Sequence, residues 1–169
     1  MAEERRLMCD RAVVDGVRSC YGWLRHVVSS SNGQHNPISY NVEMRALLIS
    51  TYDLGRQPLG LASPAAWLRR SGVEVDCADT SRAPLDDGRI AAASLVGFYL
   101  PMHTATRLAA PLIERVRQMN PAARLCAYGL YAPLNAPWLR ERGIQHVLGP
   151  DAEAELVELA TGQFPTPNI

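Results

Sequence analysis

Three short loops hold most of the side chains in this sequence that could bind a small molecule. Residues 51–60 (TYDLGRQPLG) place an Arg and a Gln between two glycines, so that donors can approach a bulky polar ligand closely. Residues 99–107 (YLPMHTATR) combine an imidazole, hydroxyls and a guanidinium at the start of a predicted helix, whose dipole favours a phosphate or an amide oxygen. In residues 128–135 (YGLYAPLN), a glycine lets a flat ligand reach the backbone between two Tyr rings.

With a glycine turn at 148–151 (LGPD), these loops supply our candidate cofactor-binding residues. They are the glycines, rings, donors and intervening residues of the loops: Tyr52, Gly55, Arg56, Gln57, Gly60, Tyr99, Leu100, Pro101, Met102, His103, Thr104, Thr106, Tyr128, Gly129, Tyr131 and Gly149. The alternative interpretation is structural. In it His103 caps a helix or lies on the surface, the tyrosines complete the core and the glycines only form turns.

Several kinds of chemistry lack the residues that they need. The sequence contains no Lys, which excludes a Lys Schiff base, a Walker-type phosphate site and a receiver-domain Lys. The third predicted strand (94–100) ends in Tyr99 and Leu100, followed by Pro101, where a receiver domain needs a phosphoacceptor Asp. No Gly-x-Gly-x-x-Gly motif, Ser-His-Asp or Cys-His signature, or carboxylate pair at one loop is present, so we expect no catalytic residue.

The elements that position these loops are five short apolar runs alternating with amphipathic segments. We predict strands at 45–50, 73–78, 94–100, 124–128 and 144–148. We predict helices that start between 59 and 64, with Ser63 and Pro64 as N-cap and first residue, and at 104–119, 136–142 and 151–160, with a weaker one at 86–93. The long helix should bury Leu108, Leu112, Val116 and Met119. The fold class is α/β, a flavodoxin-like (Rossmann-like) three-layer sandwich with a five-stranded parallel sheet, whose ligands bind at the carboxyl ends of the strands.

Length and composition indicate one domain with an appendage. The chain has 169 residues, 47% hydrophobic and 20% charged, and no net charge, which removes the general attraction to nucleic acid or anionic membranes. We divide it into an amphipathic helical extension (1–28), a linker (29–43), the domain (44–162) and a tail (163–169). The four scattered Cys indicate reduced thiols, and the charged start lacks a secretory signal, so we expect a cytoplasmic protein.

The loops also carry a family resemblance. Three segments are similar to the N-terminal cobalamin-binding domain of cobalamin-dependent radical SAM proteins, and most closely resemble the CUAEP/CCAEP-tail radical SAM subgroup: 47–68 (LLISTYDLGRQPLGLASPAAWL), 98–107 (FYLPMHTATR) and 128–135 (YGLYAPLN). The resemblance covers residues 44–160, and it implies a corrinoid-binding domain with cobalamin as the cofactor. Because Asp53 is followed by Leu54 and Gly55, the cobalt-ligating His of the Asp-x-His-x-x-Gly motif is missing. A base-off, His-off state is therefore implied, with no protein metal ligand.

The same resemblance implies a partner for this domain. Radical SAM chemistry requires a Cys-x-x-x-Cys-x-x-Cys motif, which the 169 residues do not contain. We therefore expect an accessory module that presents a corrinoid to a radical SAM catalytic domain or protein and catalyses nothing alone. The alternative is a degenerate Rossmann-like interaction module that binds no cofactor.

Overall fold

The structure is a computed structural model that describes residues 44–162. The predicted helical extension (1–28), linker (29–43) and tail (163–169) lie outside the described residues.

Five parallel strands form one sheet in the order β2-β1-β3-β4-β5. The strands are β1 (Arg45–Ser50), β2 (Glu74–Asp79), β3 (Leu95–Tyr99), β4 (Arg124–Tyr128) and β5 (His146–Val147). Strands β1 and β3 are buried almost throughout because helices cover both faces of the sheet, which explains their continuous apolar sequence. The last strand is shorter than the predicted 144–148, although the Leu148 N–H still donates to the Ala127 carbonyl beyond it (2.8 Å).

Within residues 44–162, six helices flank the sheet: α1 (Leu59–Arg70), α2 (Asp87–Ala92), α3 (His103–Met119), α4 (Tyr131–Leu134), α5 (Ala136–Glu141) and α6 (Glu153–Thr161). They enclose two apolar clusters. Leu47 and Phe98 belong to the cluster under α3 and α5, whereas Leu48 belongs to the cluster under α1 and α6. The predicted flavodoxin-like three-layer α/β sandwich is therefore confirmed. None of these helices is long and apolar enough to cross a membrane.

Helix α1 begins at Leu59, the earliest residue of the predicted range, but the predicted N-cap is wrong. Pro58 occupies its N-cap position and Leu59 is its first residue, so Ser63 is not the N-cap and Pro64 lies inside the helix. Pro64 has no N–H to donate to the Gly60 carbonyl four residues earlier. The Tyr128 hydroxyl donates to that carbonyl instead, at 2.8 Å. A side chain from β4 thus replaces a hydrogen bond that the helix itself cannot make.

Helix α3 buries only part of the predicted apolar stripe: Val116 is buried and Leu112 is partly buried against the core. Leu108 and Met119 are 48% and 39% exposed, so the predicted stripe is wrong for both of them. The buried side is formed by small and β-branched side chains, among them Ala105, Ala109 and Ile113.

The side chain of Asn120, the C-cap residue of α3, links this helix to the end of α2. Its side-chain amide donates to the Ile90 and Ala93 carbonyls at 2.8 Å, and its oxygen accepts from the Ala123 N–H at 3.1 Å. We expect Asn120→Ala to lower the free energy of unfolding by about 2 to 3 kcal/mol, because three hydrogen bonds of its side chain are lost. Urea unfolding followed by circular dichroism measures this. The matched control is Gln118→Ala, which removes one exposed bond; equal stability of the two variants would contradict the assignment.

Candidate functional site

The predicted site residues follow β1, β3, β4 and β5, so the parallel sheet brings their loops to one edge, its carboxyl edge. The structure separates them into an exposed group and a buried group. Arg56, Gln57, His103 and Thr104 are exposed, and their side chains make no hydrogen bond within residues 44–162. These four donors remain able to bind a ligand.

Three of the predicted residues have structural partners instead. Thr106 is buried, and its hydroxyl donates to the Met102 carbonyl at 3.1 Å. Leu100 is buried, and its N–H donates to the Tyr128 carbonyl at 2.7 Å. The Tyr128 hydroxyl binds the Gly60 carbonyl, as described above. Leu100, Thr106 and Tyr128 thus form a buried layer beneath the exposed side chains of the edge, which we call the floor. We therefore do not place these three side chains against a ligand. Pro101, Met102, Tyr52, Tyr131 and Gly149 are partly exposed around this floor.

Gly129 is required by its own backbone environment. Its φ is +106°, and a β-carbon there would lie 2.8 Å from the Leu100 carbonyl oxygen. Its N–H donates to the Gly149 carbonyl at 3.0 Å, which ties the ends of β4 and β5 together. The expected role of Gly129, to let a flat ligand reach the backbone, is therefore not needed to explain the glycine. Gly55 (φ +70°) is exposed and has nothing near its missing β-carbon.

A row of polar side chains crosses the sheet where the strands end. The sequence analysis had selected its two tyrosines but missed Ser50 and Asp79. Ser50 of β1 is paired in register with Asp79 on one side and Tyr99 on the other, and Tyr99 is paired with Tyr128. Ser50 follows Ala46 and Leu48 at alternate positions, so it faces the α1 and α6 layer. The Ser50 hydroxyl is fully buried and has no hydrogen-bond partner within the described residues.

Tyr99 belongs to this row, and its ring packs beside that of Tyr128. Its centroid is 5.5 Å from that of Tyr128, and a β-carbon on Gly60 would lie 2.2 Å from the Tyr99 ring, so only glycine fits at that position. Burial, followed by the negative charge of Asp53, raises the pKa of Tyr99. Burial also raises the pKa of Tyr128 well above its usual range. Both phenols are therefore protonated at neutral pH and act as hydrogen-bond donors.

A cavity of about 590 Å³ adjoins the edge, between α1 and strand β2. Its walls include Gln57 from the β1–α1 loop, Arg69 from α1 and Cys77 and Asp79 from β2. Of the residues that line it, the sequence analysis had selected only Gln57. Predicting this cavity would have required both the pairing of the strands and the side of α1 that packs on the sheet, because the lining comes from segments distant in the sequence.

Within residues 44–162, no group of three or more His, Cys, Asp or Glu side chains is arranged to hold a metal ion. Cys77 is half-buried and Cys126 is buried, with its pKa raised to about 12 by burial. Cys9 and Cys20 lie outside the described residues.

The sequence matches no protein-family model and no curated protein. Solved structures resemble the fold. A response regulator from Burkholderia pseudomallei with a phosphorylated aspartic acid, calcium ion and citrate is 19% identical (TM-score 0.53) and is aligned over 69% of this chain and 65% of its own. A CheY-like receiver domain from Methanospirillum hungatei is 20% identical (0.54; 71% and 92%). A putative pilus assembly-related protein from Burkholderia pseudomallei is 14% identical (0.51; 79% and 100%).

At these identities the likeness establishes the class of the domain, a flavodoxin-like α/β sandwich, and not its chemistry. The last residue of β3 is Tyr99, which has no carboxylate to phosphorylate. The aspartyl phosphate named for one neighbour is therefore not carried over to this position.

The two glycines at the edge give a matched test of this geometry. We expect Gly129→Ala to lower the free energy of unfolding by about 2 to 4 kcal/mol, because alanine meets the Leu100 carbonyl and disfavours a positive φ. Gly149 has no atom within 4 Å of the added β-carbon and its φ is not positive. Gly149→Ala should therefore change stability by less than about 0.5 kcal/mol. Thermal and urea unfolding measure the stability of both variants. A Gly129→Ala variant as stable as the unmodified chain would contradict the close approach of Gly129 to the Leu100 carbonyl.

Proposed function

We propose that residues 44–162 bind a corrinoid and present it to a radical SAM catalytic domain or protein. The proposal rests on the resemblance of three segments to the cobalamin-binding domain of such proteins. It is supported by the flavodoxin-like fold, in which ligands bind at the carboxyl edge that these segments form. The chain itself orients the cofactor, and the partner performs the reaction.

The observation that carries the proposal is the unpaired Ser50 hydroxyl. Leaving a buried hydroxyl without a partner costs about 1 to 3 kcal/mol, whereas alanine at the same place costs nothing. Ser50 lies at the end of β1 beside Tyr99 and below the β1–α1 loop. A ligand group that enters from this edge supplies the missing partner. Together with the exposed donors Arg56, Gln57, His103 and Thr104, this hydroxyl fits a large ligand that carries many amide and phosphate oxygens.

The exposed side chains have separate tasks in this proposal. Arg56, Gln57, His103 and Thr104 donate hydrogen bonds to the amide or phosphate groups of the corrinoid. Tyr52 and Tyr131, which are half-buried, provide apolar walls. A bound cobalamin supplies a cobalt centre that can carry a methyl group or change its oxidation state.

The β1–α1 loop offers no protein ligand for cobalt. Leu54 has a φ of +50° and Gly55 a φ of +70°, so two successive residues adopt the left-handed conformation that favours glycine. The position of the missing histidine is thus a tight, exposed turn. This supports the base-off, His-off state, in which the chain binds the amide and phosphate groups of the corrinoid and does not ligate the cobalt.

A second function, an interaction module without a cofactor, is favoured by one observation. Four leucines at the carboxyl edge are 60% to 77% exposed: Leu54 and Leu130 in loops, Leu59 at the start of α1 and Leu134 in the short helix α4. Exposed leucines of this size are typical of a surface that another protein covers. In the corrinoid proposal these leucines contact the catalytic partner, and in the alternative they are the whole binding surface.

Ser50→Ala separates the two functions because it should change stability and binding in opposite directions. Removing the unpaired hydroxyl is expected to leave the free energy of unfolding unchanged or to raise it by up to about 1 kcal/mol. Removing the partner of a ligand group should weaken corrinoid binding at least about fivefold. The full chain is incubated with hydroxocobalamin, excess is removed, and the retained corrinoid is read from its absorption spectrum.

The control is Ser94→Ala, which changes a half-buried serine just before β3, at the opposite edge of the sheet. It should retain as much corrinoid as the unmodified chain. If the unmodified chain retains none, the interaction module is favoured. If Ser50→Ala and the unmodified chain bind equally well, the corrinoid does not use this hydroxyl.

A further inference from the structure

The cavity between α1 and β2 has the size and lining of a second small-molecule site. Its volume, about 590 Å³, is within the range of ligand-binding pockets. One wall is apolar and consists of Pro58, Leu61 and Ala65. The other walls carry polar side chains, so the cavity has the mixed lining that fixes both the position and the orientation of a ligand.

Two arginines give the polar part of the cavity its charge. An Arg69 Nη donates to the Val75 carbonyl at 2.8 Å, and an Arg82 Nη donates to the Gly55 carbonyl at 3.4 Å. Neither arginine forms an ion pair with a carboxylate of residues 44–162. The Arg69 side chain is also hydrogen-bonded to the Cys77 side chain. Neutral groups thus orient both guanidiniums, and each keeps N–H donors for a ligand.

The other polar residues of the cavity do not cancel this charge. Asp79 carries the only carboxylate of the lining, and one of its oxygens already accepts from the Ser81 N–H (3.0 Å) and hydroxyl (2.6 Å). Burial raises the pKa of the Cys77 thiol, which is therefore neutral at pH 7. The lining thus carries two guanidinium groups and one carboxylate, which is already hydrogen-bonded to Ser81. The net charge of the cavity is therefore positive.

We propose that this cavity binds a small organic acid, whose acidic group pairs with Arg69 and Arg82 while its apolar body packs on α1. A planar guanidinium binds carboxylate, phosphate and sulfonate oxygens through paired, charge-assisted hydrogen bonds. This site is separate from the proposed corrinoid contacts, with which it shares only Gln57, and it does not depend on corrinoid binding.

The first test uses 8-anilinonaphthalene-1-sulfonate, an apolar ring system with one sulfonate, added to the full chain without any corrinoid. Its fluorescence should rise and saturate at about one equivalent. Arg69→Gln and Arg82→Gln should each raise the dissociation constant about tenfold, because a charge-assisted hydrogen bond is lost. Arg140→Gln removes an exposed arginine of α5 and should have no effect. Unchanged binding in both cavity variants would overturn the proposal, since the dye would then be bound elsewhere.

The second test locates the probe through Cys77, whose thiol lines the cavity. The rate of alkylation of Cys77 by iodoacetamide is measured by peptide mass spectrometry with and without saturating dye. Occupation of the cavity should slow the reaction at Cys77 at least about fivefold and leave the other three cysteines unchanged. An unchanged rate at Cys77 would overturn the proposal even if Arg69→Gln were to perturb the fold. Either result leaves the corrinoid proposal to its own experiment.

Discussion

The hydrogen bond from the Tyr128 hydroxyl to the Gly60 carbonyl holds the first turn of α1 on the end of β4. It exists because Pro64 removes the donor that a regular helix would supply. It also requires glycine at position 60, since the Tyr99 ring occupies the place of a side chain. The start of α1 sets the path of the β1–α1 loop. That loop carries Arg56 and Gln57, so the candidate site depends on this contact.

Around this contact the carboxyl edge combines a fixed floor with exposed donors. Backbone hydrogen bonds join the strand ends, as from Leu100 to Tyr128 and from Gly129 to Gly149. Within residues 44–162, the exposed side chains of His103 and the other donors at this edge have no hydrogen-bond partner. This arrangement suits a domain that orients a large polar cofactor, because the cost of ordering the scaffold is met by folding before any ligand binds.

Much of the fold could be predicted from the sequence, but the details of the site could not. Strands β1 and β4 match their predicted bounds because buried parallel strands are continuous apolar runs. The N-cap of α1 was predicted wrongly because Pro64 resembles the first residue of a helix, and its place inside the helix depends on a distant tyrosine. The unpaired Ser50 hydroxyl becomes visible only once strand register is known, since its neighbours come from β2 and β3.

The location of the corrinoid can be measured directly with a paramagnetic cobalt. Uniformly ¹⁵N-labelled full chain is loaded with cobalamin, and amide spectra of the Co(II) form are compared with those of the diamagnetic Co(III) form. The account predicts that Co(II) broadens amides in the loops after β1, β3 and β4, including those of Gln57, His103 and Leu130. Broadening centred on the opposite edge, at Val73, Ser94 and Ala123, or no broadening at all, would contradict it.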